Sequence, residues 1–246
     1  MSVRLEEILY SQGFGTRRVC LGLIQQGHVR VGAEDRLAQD PDEDLETDGL
    51  VFRVQDELWA FQPLAYLMLN KPAGYECSQK PSVHPSVYTL LPPPLRQRPG
   101  GASAGVQTVG RLDQDTTGLL LLSDDGKFIH RMSSPKHHVP KVYQATVRDA
   151  MDEQQRRRLL EGVVLRDDPK PVKAVACEIT GPHTLSLTLT EGKYHQVKRM
   201  LAAVGNLVTG LHRSQTGSLH LPDELSRGEW RWLTQEEVAS LTARQT

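Results

Sequence analysis

Leu5, Ile8 and Leu9 recur at helical spacing until Gly13, and Thr16 opens a second periodic stretch through Leu21 and Ile24 that ends at Gly27. This pattern predicts a short helical hairpin. From His28 to Val31 the period falls to two, and Leu50 to Val54 reads the same way, so two strands follow the hairpin. Residues 1–60 are therefore expected to form a small module of helices and strands. Phe61 to Leu64 reads as a linker, and a second domain over 64–246 begins with the apolar strand Tyr66 to Leu69. In that domain Leu119 to Leu122 is a buried strand, Ser123 to Gly126 a turn and Lys127 to Met132 a short helix. Val142 to Val147, Val172 to Glu178 and Leu185 to Leu189 alternate as strands, and Asp152 to Glu161 forms a helix stopped by Gly162. Val197, Met200, Leu201 and Val204 mark the buried stripe of another helix, and Thr234 with Glu237 makes the capping box of the last. Pro92 to Pro94 and the Gly100 to Gly105 stretch predict an exposed loop. The class is α+β.

Composition narrows the setting. Hydrophobic residues are 38% of the 246, enough for a packed core. The longest aliphatic run, Leu119 to Leu122, falls far short of the roughly 20 residues a spanning helix needs. Glu6, Glu7, Arg17 and Arg18 interrupt the start of the chain, so no secretory leader is expected. Cys20, Cys77 and Cys177 form no CxxC pair, which suggests neither a disulfide framework nor a structural zinc, and a reducing cytoplasm suits them. The net charge of −1 argues against a nucleic-acid partner until it is divided along the chain. Residues 1–30 carry +2, 31–62 carry −8 and 63–246 carry +5. Gly126 to Arg148 and Gly192 to Arg213 are basic stretches with no acid at all.

Three constellations could carry chemistry. Gly110-Arg111-Leu112-Asp113-Gln114-Asp115-Thr116-Thr117-Gly118 sets two carboxylates in a Gly-bounded loop before a buried strand. They either cap turns or act chemically, with Arg111 able to orient Asp113; as a pair they could also serve a retaining glycosidase. Glu191 to Met200 opens a helix whose first turn offers free N–H groups and the side chains of Lys193, His195, Lys198 and Arg199, either as a solvated basic face or as an anion seat. Ser133 to Tyr143 carries Lys136, His137, His138 and Lys141. Adjacent histidines project differently and lack metal-ligand spacing, so phosphate contact is the better reading. Tyr143 is either a core aromatic or a platform for a base.

These residues resemble the pseudouridine synthases, in particular the class acting on small-subunit ribosomal RNA. The resemblance runs through Asn70-Lys71-Pro72-Ala73-Gly74, Gly110 to Gly126, Ser133 to Tyr143 and Glu191 to Gly205 in the family's order. It implies a catalytic domain built on a mixed, largely antiparallel sheet flanked by helices. Residues 3–48 resemble an S4 RNA-binding domain, through Arg4-Leu5, Gly15-Thr16-Arg17-Arg18 and Gly27-His28-Val29. The resemblance makes Asp113 the acting carboxylate, sets Lys198 opposite it where other synthase classes have Arg, stacks Tyr143 on a flipped base and gives Arg111 the extruded nucleotide. Phosphate contacts fall to Arg17, Arg18, His28, Arg30, Lys71, Lys136, His137, His138, Lys141, Lys193, His195 and Arg199. It implies isomerisation of a uridine in 16S rRNA with no cofactor and no metal, on an assembling small subunit, and a monomer is the default expectation. A sister activity on 23S rRNA and a non-catalytic role in ribosome assembly are the alternatives. The acidic 31–62 segment departs from the usually basic S4 module.

Overall fold

The computed structural model describes residues 2–100, 104–166 and 168–243. The chain divides into two compact units, Met1–Ala65 with Leu91–Gln107 and Ser123–Asp125, and Tyr66–Leu90 with Thr108–Leu122 and Gly126–Thr246.

In the first unit the expected hairpin is present as helices Leu5–Gln12 and Arg17–Gln25. Gly13 ends the first at φ 88°, and the Thr16 hydroxyl caps the second by accepting the Val19 N–H. An antiparallel sheet follows in the order Arg36–Leu37, Val29–Val31, Val51–Val54, Glu57–Ala60. Leu5, Ile8, Leu9, Ile24 and Phe52 form its core, and Phe14 meets Phe52 and Trp59 edge to face. The acidic segment is partly neutralised in place. Asp35 pairs with Arg53 and lies 3.7 Å from Arg30, Asp42 pairs with Arg4, and Glu43 with Arg36.

The Pro-rich stretch is not the exposed loop its composition predicts. Pro93–Gln97 is a helix, since proline suits a first helical turn where its missing N–H is not needed. Leu95 is fully buried and the Arg98 side chain only 2% exposed. Arg98 donates to Asp124 Oδ2 at 2.6 Å, to Gln12 Oε1 at 3.0 Å and to the Gln62 carbonyl at 2.8 Å. A Cβ on Gly13 would stand 2.1 Å from the Pro94 carbonyl oxygen, so only glycine admits this helix. Residues 101–103 lie outside the described residues.

The second unit is built on a mixed sheet flanked by helices. Its strands run in the order Ala176–Gly181, Thr184–Leu189, Lys141–Val147, Val208–Thr216, Thr117–Ser123, Tyr66–Lys71, Trp230–Trp232. Val208–Thr216 pairs with Thr117–Ser123 in parallel and with Lys141–Val147 in antiparallel register. Helices Glu153–Glu161 and Gln196–Ala203 contribute Leu159, Val197, Met200 and Leu201 to a core under Leu185, Leu187 and Leu189. Phe128, Met132 and Leu241, from helices Gly126–Ser133 and Gln235–Thr242, enter a second core with Met68, Leu119 and Leu121. The single strand expected over Val172 to Glu178 is two. Asp168–Val172 folds back on Val163–Leu165, and the Ala174 N–H bonds the Leu159 carbonyl before Ala176–Gly181 joins the sheet. Among the described residues no helix is long and apolar enough to cross a membrane.

Candidate active site

Asp113 sits in the loop that enters the buried strand Thr117–Ser123, and the loop is held from below by an unexpected group. Lys71, assigned to RNA by the sequence, is 0% exposed. Its ammonium donates to the carbonyls of Asp113 at 3.0 Å, Gln114 at 3.1 Å, Thr116 at 2.9 Å and Pro72 at 3.2 Å. Burial pulls its pKa below the usual lysine range, with partial compensation from the charges of Asp115 and Asp113. Lys71 therefore shapes the loop and is out of reach of a phosphate. The Gly74 N–H bonds the Gln114 carbonyl at 2.8 Å and the Leu112 N–H reaches Cys77 Sγ at 3.5 Å, fastening the loop at two further points. At the far end Gly118 has φ 102°, and a Cβ there would lie 2.3 Å from the Arg213 carbonyl oxygen. Only glycine permits the close parallel pairing with Val208–Thr216. The Arg213 guanidinium is itself buried and donates to the Leu119 carbonyl at 2.7 Å.

Above the loop stands the helix Gln196–Ala203. Lys198 Nζ lies 3.1 Å from Asp113 Oδ2 and 2.7 Å from Asp115 Oδ1, so one ammonium bridges both carboxylates. Burial pushes the Asp115 carboxyl up, but the Lys198 hydrogen bonds and charge hold it below its usual value overall. Burial likewise opposes the Lys198 charge, and the two carboxylates outweigh it and raise the ammonium's pKa. His195 Nε2 approaches Asp113 Oδ1 at 3.4 Å. Both Asp113 oxygens thus face nitrogen groups of one helix start. The cleft over Asp113 is walled by Arg111, Tyr143, Leu189, Val197 and Leu211. Apolar walls, a tyrosine ring and a carboxylate at the base suit a flat, partly polar group such as a nucleobase. Arg111 is exposed at the rim and forms no salt bridge with a described residue.

The remaining assigned residues scatter. Lys193 is tied to Asp168 in an ion pair that lowers the Asp168 pKa and raises its own. Asp168 was missed because it lies 25 positions away, on a hairpin without a local signal. Lys141 is largely withdrawn from water and donates to the Val139 carbonyl at 3.0 Å; burial, helped by the Arg213 charge, lowers its pKa to about 8. Arg199 donates to the Tyr194 carbonyl at 3.0 Å. Lys136 and His137 line a different groove with Arg131, and His138 ends their turn at φ 47°. In the first unit Arg17, Arg18, His28 and Arg30 are all exposed; Arg17 bonds Glu6 at 2.8 Å and lies over the Tyr10 ring, and Arg30 donates to the Asp35 carbonyl. Cys20, Cys77 and Cys177 are free and buried. Among the described residues no group of three or more His, Cys, Asp or Glu side chains could hold a metal.

Comparison with known proteins agrees with this geometry. Residues 65–203 match the model of the RNA pseudouridylate synthase family, a span containing the loop, Tyr143 and Lys198. The ribosomal small subunit pseudouridine synthase A of Pasteurella multocida is 40% identical over 97% of this chain and 99% of its own. That of Escherichia coli is 36% identical over 97% of this chain and 100% of its own. A crystal structure of a pseudouridylate synthase superposes with a TM-score of 0.67 at 36% identity, covering 97% of this chain and 99% of the other. With the family model spanning more than half its length and relatives matching nearly end to end, the chain belongs to the RNA pseudouridylate synthase family and is an enzyme of that class.

Proposed function

We propose that this enzyme converts a uridine of 16S ribosomal RNA to pseudouridine, with Asp113 as the acting carboxylate. The observation that carries the reading is the Asp113 carboxylate at the base of an aromatic-walled cleft, with Lys198 at 3.1 Å. In the isomerisation the N1–C1′ bond breaks, the detached base turns, and C5 bonds to C1′. C5 loses a proton and N1 gains one, so nothing is oxidised and no group leaves. Asp113 acts on sugar or base as an ionised group, and the Lys198 ammonium holds its Oδ2 in place. Tyr143 stacks on the uracil ring within the cleft, and Arg111 at the rim holds the extruded nucleotide. The small-subunit target is supported by the relatives, whose names specify that substrate at 36–40% identity over nearly the whole chain.

The first unit supplies a second RNA contact through Arg18 and His28, the members of its S4-like pattern that form no ion pair with a described residue, with residues 1–60 as the RNA-binding module and 64–246 as the catalytic domain. Specificity then rests more on RNA shape than on base reading. The test is Asp113→Asn, with pseudouridines mapped across both rRNAs by carbodiimide-primed reverse-transcription stops. The expected result is loss of one stop in 16S rRNA with RNA binding retained. Full activity in that variant sinks the assignment of Asp113, and a lost stop in 23S rRNA moves the substrate to the large subunit.

A further inference from the structure

Tyr194 lies in the chain between Lys193 and His195, which both line the cleft, and takes no part in the chemistry above. It is 71% exposed, the most solvated aromatic among the large exposed apolar side chains of the described residues. Its ring is nevertheless held. It stacks on the His195 imidazole with centroids 3.8 Å apart and planes 20° from parallel, and its carbonyl accepts the Arg199 guanidinium at 3.0 Å. His195 keeps a left-handed backbone at φ 51°, a conformation that residues other than glycine seldom adopt. That geometry lets His195 reach Asp113 Oδ1 at 3.4 Å while backing the Tyr194 ring.

With one ring face covered by His195, an exposure this high leaves the opposite face open to water. Desolvation alone would favour burying the ring, since an aromatic side chain gains from leaving water. A flat surface held in one orientation beside the cleft, with its outer face open, has the form on which an unpaired base stacks. His195 meets Tyr194 through its ring face and Asp113 through Nε2, so Tyr194 adjoins a residue that touches the carboxylate without touching the carboxylate itself, a position that suits a neighbour of the target nucleotide.

We propose that Tyr194, backed by His195, is a stacking shelf for an unpaired nucleotide adjoining the target uridine. The proposal rests on the cleft being the uridine site, because the RNA strand must then pass its rim. Base–aromatic stacking changes affinity by roughly fivefold at its weakest and by about a hundredfold at its strongest per base. Two measurements test it. On 5-tritiated 16S transcript, Tyr194→Ala lowers kcat/KM about tenfold, chiefly through KM, and Tyr194→Phe restores it. In parallel, single-uridine oligoribonucleotides with 2-aminopurine on the 5′ or the 3′ side of the uridine are titrated with wild type and variants. One of the two shows fluorescence quenching by wild type and Tyr194→Phe that Tyr194→Ala lacks. An unchanged KM in Tyr194→Ala, a loss confined to kcat, a Phe variant as impaired as Ala, or no quenching difference overturns the shelf. Absence of tritium release by wild type overturns the substrate reading instead, and the quenching experiment still decides the shelf.

Discussion

Each unit of the molecule buries a cation at a chain crossing, Lys71 in one and Arg98 in the other, and the two are paired differently. In the second unit Lys71 is surrounded by four backbone carbonyls and makes no salt bridge with a described residue, so carbonyl dipoles meet its charge directly and Asp113 and Asp115 act on it only at longer range. In the first unit Arg98 spends its planar fork on the Asp124 carboxylate, on Gln12 and on the carbonyls of Gln62 and Pro63. Asp124 in turn accepts the Ala65 N–H at 2.7 Å. The arginine site joins three separate stretches of chain through a full ion pair, which suits a permanent staple. The lysine site gathers one short loop and presents Asp113 on its upper side, which suits a support for a reacting group.

The difference predicts an ordered series of effects. Arg98→Met leaves the Asp124 carboxylate buried without its cation and is expected to cost about 3–5 kcal/mol, read as a shift of the urea midpoint. Adding Asp124→Asn recovers part of that loss; if the double variant is no better than the single, the ion pair is not the source of the effect. Lys71→Met removes the buried charge itself and leaves only neutral carbonyls without a partner, so about 1–3 kcal/mol is expected. Its kcat falls at least tenfold, because a displaced Asp113 loop loses the reacting geometry. Equal damage to stability and no loss of kcat would make Lys71 a fold residue with no bearing on the site.

The smallest effect belongs to a half-buried cation, Lys141, which has one carbonyl partner and a pKa lowered to about 8 by burial. Its folded value lies below the unfolded one, so between pH 8 and about 10.4 the unfolded chain binds more protons at this residue. The penalty is complete below pH 8 and fades as pH rises. The stability of the wild-type protein relative to Lys141→Met is therefore expected to increase from pH 8 to 10; a flat difference places the Lys141 ammonium in water.

Much of the fold was legible because alternation and caps are local signals. The helical hairpin, the Leu119 to Leu122 strand, the stripe of the Gln196–Ala203 helix and the Thr234 capping box all appear where the pattern sets them. Val208–Thr216 did not, although it lies between two partners in the sheet. Its Gly210, His212, Arg213 and Gln215 break the alternation, and its place comes from backbone pairing on both sides and not from apolar faces. The facing of Asp113 and Lys198 was available from the resemblance, since both lie in motifs with fixed order. Tyr194 had only its spacing of four from Lys198 to mark it.

Charged side chains divide what the sequence determined from what the tertiary structure decided. The sequence alone determined the family, the motif that carries the candidate loop and the acidic character of 31–62, because these reside in residue identity and order. It could not distinguish Lys71 and Lys141, withdrawn from water, or Lys193, bound to Asp168, from lysines free to meet a phosphate. Nor could it show that Arg98 orders a stretch that reads as loop. Whether a cation faces water, a carbonyl or a carboxylate depends on segments distant in sequence, and the free energy of desolvating it is set by those partners. Folding of the whole chain, not local pattern, assigned each basic residue its role.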